Sequence, residues 1–410
     1  MWESLATTRS QDRALHGAAK VMNVVLGFIM LPLWFAGQRL AGVMRRGLAE
    51  SEQPALATAR PERDLDALLA ELKSFPNRLR PTRWATQVKG IPDLLLLMLT
   101  QKRQTVNLGY SYPSQFDYHY IESADGERIA ATIATHDEPR PGLIVVHGLF
   151  SSRHFDYVRE IAVRAYYDWG FNVAAIDLRS FGLTEMLSNA PCTAGWKEGE
   201  DILATAAHLK SLGSTSVGAV GISLGSSSVM NACHHDTTAE LLDGGILAVG
   251  GPADVRVAIE YIDTVPPPTH PFFGISVLFR SLLTGKVRNL GWPDEIADFT
   301  MLAEHVLAPY YEISLDELYE RASAKNFIAD ARVPVLVLHG EDDEIVPVEH
   351  ARELERAAGG AENVRVWIVP GGGHAAFDAL DRDWTYRVYR TFFERLAVYE
   401  PVAAQAAAAA

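Results

Sequence analysis

The 410-residue chain predicts an α/β fold: a mostly parallel eight-stranded sheet with helices on both faces, a helical cap insertion and an N-terminal helical extension. Three observations predict it. Short β-rich apolar runs recur with helix-length segments between them, the pattern of a parallel sheet covered on both sides. One of these runs passes directly into Gly221-Ile222-Ser223-Leu224-Gly225 and then a small-residue stretch, as a sharp strand-to-helix turn requires. Finally, residues 253–330 contain Pro266-Pro267-Pro268, aromatic residues and helical stretches. A structureless connection of that length does not suit a compact domain, so it is placed as a cap over the carboxyl ends of the strands.

The elements follow in order. Residues 1–110 form the extension. Within it, residues 21–37 are nearly all apolar, residues 40–44 continue the run, and Arg45 and Arg46 close it. Seventeen residues is the lower limit of the about 17 to 25 that span a bilayer. Arg39, Arg45 and Arg46 follow directly and oppose export, so the segment is no secretory signal. Three readings stay open: a membrane anchor, an interfacial helix, or a helix buried on the protein itself, with Asn23 and Pro32 weakening a span. The expectation is membrane association through residues 21–44 with the main domain in the cytoplasm; the alternative is a soluble cytoplasmic protein. Residues 48–81, with Pro54, Pro61, Pro76 and Pro81, read as a linker holding a short helix at 64–73. Residues 91–99 are too short to span and suit burial or contact with a membrane surface.

From residue 111 the core begins, as 111–252 and 331–400. Residues 116–121 and 129–135 read as a hairpin about Asp125-Gly126, a dipeptide that favours the turn between antiparallel strands. The parallel runs are 143–146, 173–176, 217–220, 246–249, 335–338 and 364–369. The tail 401–410 is low in complexity and carries no assigned role.

Composition narrows the function. An apolar fraction of 48% and a charged fraction of 21% are those of a globular protein, so neither wholesale disorder nor a multi-span membrane protein is indicated. A formal charge of −14 without a basic run argues against nucleic acid as a partner. Cys192 and Cys233 make neither a disulfide framework nor a metal cluster and read as free thiols. His234, His235 and His339 lack convergent ligands, so no metal and no cofactor are expected and the three take ordinary packing or surface roles.

The chemistry converges on Ser223. A serine on a strained turn between a strand and a helix points its hydroxyl into a cleft, above the positive end of that helix. Such a nucleophile needs an acid and then a histidine on loops after later strands. After run 335–338 comes Gly340-Glu341-Asp342-Asp343-Glu344-Ile345-Val346-Pro347, and after run 364–369 comes Gly371-Gly372-Gly373-His374. Ser, Asp and His thus occur in the required order.

With these motifs, with His147-Gly148-Leu149-Phe150 and with the D-x-R-x-F-G-x-T stretch at 177–184, the chain resembles the α/β-hydrolase superfamily, serine esterase and lipase branch, from about residue 116 to the helix near Phe392. The resemblance implies Ser223 as nucleophile, Asp343 as triad acid, His374 as base, and the backbone amides of Leu149 and Leu224 as the oxyanion hole. Ser180 stands where this family usually has Gly, and residues 1–110 have no counterpart in the minimal fold. The implied activity is cleavage of a carboxylic ester through an acyl-enzyme, on a small-molecule substrate that the apolar cap and amino-terminal segment suggest is apolar. Thioester or amide cleavage and acyl transfer use the same triad, and a noncatalytic ligand-binding protein of the same fold is the reading from another class. Glu341, Asp342 and Glu344 flank Asp343, so this could be a solvated acidic loop, and Asp254 is the outside alternative for the acid. His147 reads as a structural residue at a strand end.

Overall fold

The computed structural model describes residues 64–81, 112–267, 270 and 272–399. The segments 21–44, 91–99 and 401–410 lie outside the described residues. Among the described residues no helix is long and apolar enough to cross a membrane.

Eight strands form one sheet among the described residues: β1 (Asp117–Glu122), β2 (Arg128–Ala134), β3 (Arg140–Val146), β4 (Asn172–Ile176), β5 (Ser214–Ile222), β6 (Ile246–Val249), β7 (Val335–Gly340) and β8 (Val364–Val369). Their order is β1-β2-β4-β3-β5-β6-β7-β8. Strands β1 and β2 run antiparallel, β2 pairs antiparallel with β4, and every pairing from β4 through β3 to β8 is parallel. The hairpin closes where the Asp125-Gly126 dipeptide places it, with Gly126 at φ 83° and Ile121 opposite Ile129.

Alternation along each strand feeds two cores. On β3, Ile144 and Val146 enter one layer while Leu143 and Val145 enter the other; on β7, Val335 and Val337 oppose Leu336 and Leu338 in the same way. The flanking helices are α1 (Leu65–Ser74), α2 (Asp156–Tyr167), α3 (Trp196–Ser211), α4 (Leu224–His235), α5 (Val255–Asp263), α6 (Phe273–Leu290), α7 (Leu315–Ala322), α8 (Glu349–Ala358) and α9 (Arg382–Leu396). The first layer takes α3, α4, α8 and the helices of residues 255–330; the second takes α1, α2 and α9.

Helix α1 and its flanks are docked on the core rather than crossing solvent. Leu65, Leu68, Leu72, Phe75 and Leu79 recur at helical spacing and are all buried in the second layer. Asp64 caps the helix by accepting from the amides of Asp66 and Ala67. Ion pairs of Asp66 with Arg365 and Glu71 with Arg395 tie it to β8 and α9.

Candidate active site

Strand β5 ends at Ile222 and α4 begins at Leu224, so the whole reversal falls on Ser223. Its backbone sits at φ 56°, ψ −115°, a conformation that costs a non-glycine residue about 1–3 kcal/mol. What holds it there is close packing. The Ser223 amide donates to the carbonyl of Val249 at 2.8 Å, and its own carbonyl accepts from Ser226. A side chain at Gly225 would stand 2.6 Å from the Val146 carbonyl oxygen and 2.7 Å from that of His147. One at Gly221 would overlap the carbonyl of Gly225. Glycine at both positions is thus a demand of proximity, not of dihedral freedom, because neither has a positive φ.

The loop after β7 presents four acidic residues, and the fold separates them. Glu341 is exposed and lies 3.6 Å from Arg352. Asp342 accepts from the amide of Gly373 at 2.8 Å and so ties its loop to the one after β8. Asp343 is buried, with Oδ1 accepting from the amides of Ile345 and Val346, both at 2.9 Å, and Oδ2 lying 2.9 Å from Nδ1 of His374. Burial pushes the Asp343 carboxyl up, but the His374 imidazole, its hydrogen bond and the Val346 amide outweigh this and hold it below its ordinary value. On His374 the same pairing acts in reverse. Burial disfavours its charge, the Asp343 carboxylate more than offsets that, and the imidazole sits above its ordinary value.

The end of β6 lies between the serine and the pair. Val249 accepts from Ser223, while a side chain on the next residue, Gly250, would stand 3.6 Å from both Asp343 Oδ2 and His374 Nδ1. Asp254, the outside alternative for the acid, is occupied elsewhere: it caps α5 through the Val257 amide and pairs with Lys325 at 2.5 Å.

His147 is fully buried, accepts from the Leu178 amide at 3.0 Å on Nε2 and donates Nδ1–H to the Gly148 carbonyl at 2.7 Å. Burial drives its pKa down to about 3, so it is a neutral brace for the loop after β3. Tyr157 continues that brace, its hydroxyl accepting from the Gly148 amide at 2.9 Å and donating to Ser151. The loop is thereby held beside the elbow: a Cβ on Gly148 would lie 3.1 Å from the Cβ of Ser223. Leu224 is the first residue of α4, where an amide has no intrahelical acceptor. Leu149, Leu224 and Ser223 all line one cavity.

That cavity encloses about 1010 Å³ with its open mouth included, between the sheet and the helices of residues 255–330. Its wall is almost entirely apolar, with Phe150, Phe181, Phe279, Leu283, Phe299 and Ile345 among the lining residues. Lys286 of α6 is the charged residue in the wall. It turns away into a buried ion pair with Glu185 and a hydrogen bond to the Ser180 carbonyl. Ser180 is at φ 64°, which explains why glycine suits that position and shows that serine bears the strain here. Cys192 also borders the cavity and Cys233 is buried; both are free, and burial pushes both thiols up, away from reactivity.

The sequence reading gave His339 only a general packing or surface role and did not single out Lys286. His339 is fully buried, donates Nε2–H to the Val346 carbonyl at 2.8 Å and lies 3.6 Å from Asp343 Oδ2, so it braces the turn that carries Asp343. Its signal was its position four residues before Asp343. Lys286 gave none, because its partners are 101 and 106 residues away in sequence.

Comparison with known proteins bears on the family of the chain. The model of the alpha/beta hydrolase family matches residues 143–388. Monoacylglycerol lipase of Saccharomyces cerevisiae is 24% identical over 250 residues, 55% of this chain and 55% of that relative, so the chain spans about half the length of the relative it matches. Among solved structures, an esterase of Pyrococcus furiosus is similar with a TM-score of 0.48 and 17% identity, covering 68% of this chain and 92% of that one. An acylaminoacyl peptidase of Pyrococcus horikoshii has a TM-score of 0.48 and 15% identity, covering 70% of this chain and 43% of that one.

Proposed function

Since the chain belongs to the alpha/beta hydrolase family, we propose that it is a serine hydrolase that cleaves a carboxylic ester with an apolar acyl or alcohol part through an acyl-enzyme. The observation that carries the proposal is the buried Asp343–His374 pair set, across the end of β6, from a serine on a strained turn at an apolar cavity. Asp343 accepts Nδ1–H of His374, which leaves Nε2 as the basic nitrogen. His374 takes the Ser223 proton as the hydroxyl attacks the ester carbonyl, and returns it to the departing alkoxide. Between these two proton transfers, in the tetrahedral intermediate, negative charge sits on the former carbonyl oxygen. The Leu149 and Leu224 amides are the donors assigned to it, each worth about 3 kcal/mol of barrier by the usual cost of losing one. Water repeats the attack on the acyl-enzyme and releases the acid.

The apolar cavity supports an apolar group as the part of the substrate held during both steps, because a polar chain would lose its hydration there without replacement partners. Monoesters of glycerol, named by the yeast relative, belong in the first substrate panel beside simple acyl esters. Thioester and amide cleavage or transfer to an alcohol acceptor would use the same groups. Membrane association through residues 21–44 is part of the proposal and is tested by fractionation with and without detergent; recovery in the soluble fraction without detergent removes it.

The test is intact-mass analysis after treatment with a fluorophosphonate, comparing wild type with Ser223→Ala, followed by an acyl ester series. One adduct on wild type and none on the variant supports an activated Ser223. No adduct on folded wild type, with the cavity shown open to the probe, turns the reading to a noncatalytic ligand-binding protein.

A further inference from the structure

The loop that carries His374 has little of its own to hold it. Between Val369 and His374 it consists of Pro370, Gly371, Gly372 and Gly373, and three successive glycines offer no side chain to anchor. Gly372 at φ 123° and Gly373 at φ 50° need glycine for their backbone conformation. Gly371 does not, since its φ is not positive. Glycine is demanded there by a neighbour: a Cβ on Gly371 would stand 2.8 Å from the backbone nitrogen of Arg80 and closer still to its carbonyl oxygen.

Arg80 belongs to the segment that the minimal fold lacks. Among the described residues the other grips on the loop come from the core: Asp342 holds the Gly373 amide, the Phe377 ring fills the space beside Gly372, and the Ala376 amide donates to the Gly372 carbonyl at 2.8 Å. Against Gly371 itself the neighbour is the backbone of Arg80. The stretch 78–81 is itself firmly seated, with Leu79 fully buried and the Arg78 amide donating to Asp381 at 2.7 Å, just beyond the His374 loop.

We propose that residues 78–81 are a positioning element for His374, backing the glycine loop so that the imidazole stays on the Asp343 carboxylate. The inference rests on the reading of His374 as the base. A loop free to shift outward by less than 1 Å would lengthen the 2.9 Å contact between Nδ1 and Asp343 and unseat the general base, and catalysis is steeply sensitive to such displacement.

The test uses the full chain. Gly371→Ala introduces one methyl group against the Arg80 backbone at a position whose own φ tolerates alanine, so the loop and the strap must move apart, and Leu79→Ala removes the anchor of the strap from the other side. Expected are a fall in kcat of tenfold or more at little-changed KM for each variant, and an acid limb of kcat/KM shifted to lower pH as His374 loses its carboxylate partner. In the double variant the two effects should be less than additive, since both act on one contact. Leu209→Ala, in the opposite layer, is the control for stability alone and should lower Tm without lowering kcat. If Gly371→Ala fails to fold, Leu79→Ala against Leu209→Ala decides the matter. Unchanged kcat and pH profile in folded variants, or an equal kcat loss in Leu209→Ala at equal Tm, overturns the proposal. Fluorophosphonate labelling of wild-type Ser223 separates the two levels: unlabelled wild type defeats the reading of the site, whereas labelled wild type with variants labelled at the same rate defeats only the strap.

Discussion

Replacing Asp343 by Asn changes one atom and leaves the volume of the site intact, which makes it the sharpest test of the acid. The amide can be placed in two ways. With its oxygen at Oδ1 it keeps both hydrogen bonds from Ile345 and Val346, and its NH2 then faces His374 Nδ1 at 2.9 Å. In the reverse placement the NH2 confronts both of those backbone amides, and leaving them unsatisfied costs about 1–3 kcal/mol each. The first placement wins. Oδ1, 3.1 Å from Nδ1, is already engaged by two amides, so Nδ1–H meets a donor, and the favoured tautomer becomes the one with the proton on Nε2. An imidazole protonated on Nε2 cannot accept the serine proton. The expected fall in kcat is about ten-thousandfold, or about 5 kcal/mol of barrier. A second signature follows from the charge. In the proposed mechanism neutral His374 is the active form, and its pKa in wild type is raised by Asp343, so kcat/KM should fall on acidification with a half-point above the ordinary value of about 6.5. Asp343→Asn removes the carboxylate, and its residual activity should fall at lower pH than that of wild type. Steady-state rates against pH for a chromogenic ester check both. A variant within tenfold of wild-type kcat, or a loss of activity in Asp254→Asn of the same size, would refute the assignment.

Ser223→Gly should be inactive yet more stable than Ser223→Ala by about 1 kcal/mol, because glycine adopts φ 56° without strain; thermal melts should show it as a rise of about 2 °C. Leu283→Trp, which fills the cavity wall on α6, should cut kcat/KM for long acyl esters tenfold or more while leaving the shortest ester within twofold; equal losses across the series would show that the cavity does not hold the acyl chain. Asp263 joins α5 to the short helix Phe299–Leu302 of the cap by accepting from the amides of Phe299 and Thr300 and from the Thr300 hydroxyl. Burial, partly offset by these donors, raises its pKa to about 6, so the folded state binds the proton more tightly than the unfolded chain. The penalty for its charge, about 3 kcal/mol, is therefore present above pH 6 and disappears as the pH falls towards 4. Urea midpoints should rise from pH 7 to pH 5 more steeply in wild type than in Asp263→Asn, and parallel slopes would count against a half-buried, titrating Asp263.

What the sequence displayed depended on range. The strands are local, since alternation writes Leu143 to Val146 into two cores; of the two glycines about Ser223, Gly221 answers to the nearby Gly225 carbonyl, whereas Gly225 answers to the Val146 and His147 carbonyls at the end of β3. The acid was legible only as a group, because Glu341 to Glu344 are chemically alike and burial alone tells them apart. It is the turn closed by His339 and the Val346 amide that draws Asp343 inward and leaves Glu341 facing Arg352. Composition misled at residues 64–81. Prolines around a short helix resemble a linker, yet Leu65, Leu68, Leu72 and Phe75 already marked one face for burial, and a free linker has no use for such a stripe. The same pattern governs Gly371: within the sequence it is one glycine of three, and only the backbone of Arg80, 291 residues earlier, distinguishes it from its neighbours. A family motif thus marks the residues proposed to react, while residues 78–81, proposed to keep His374 in place, lie outside the motif altogether.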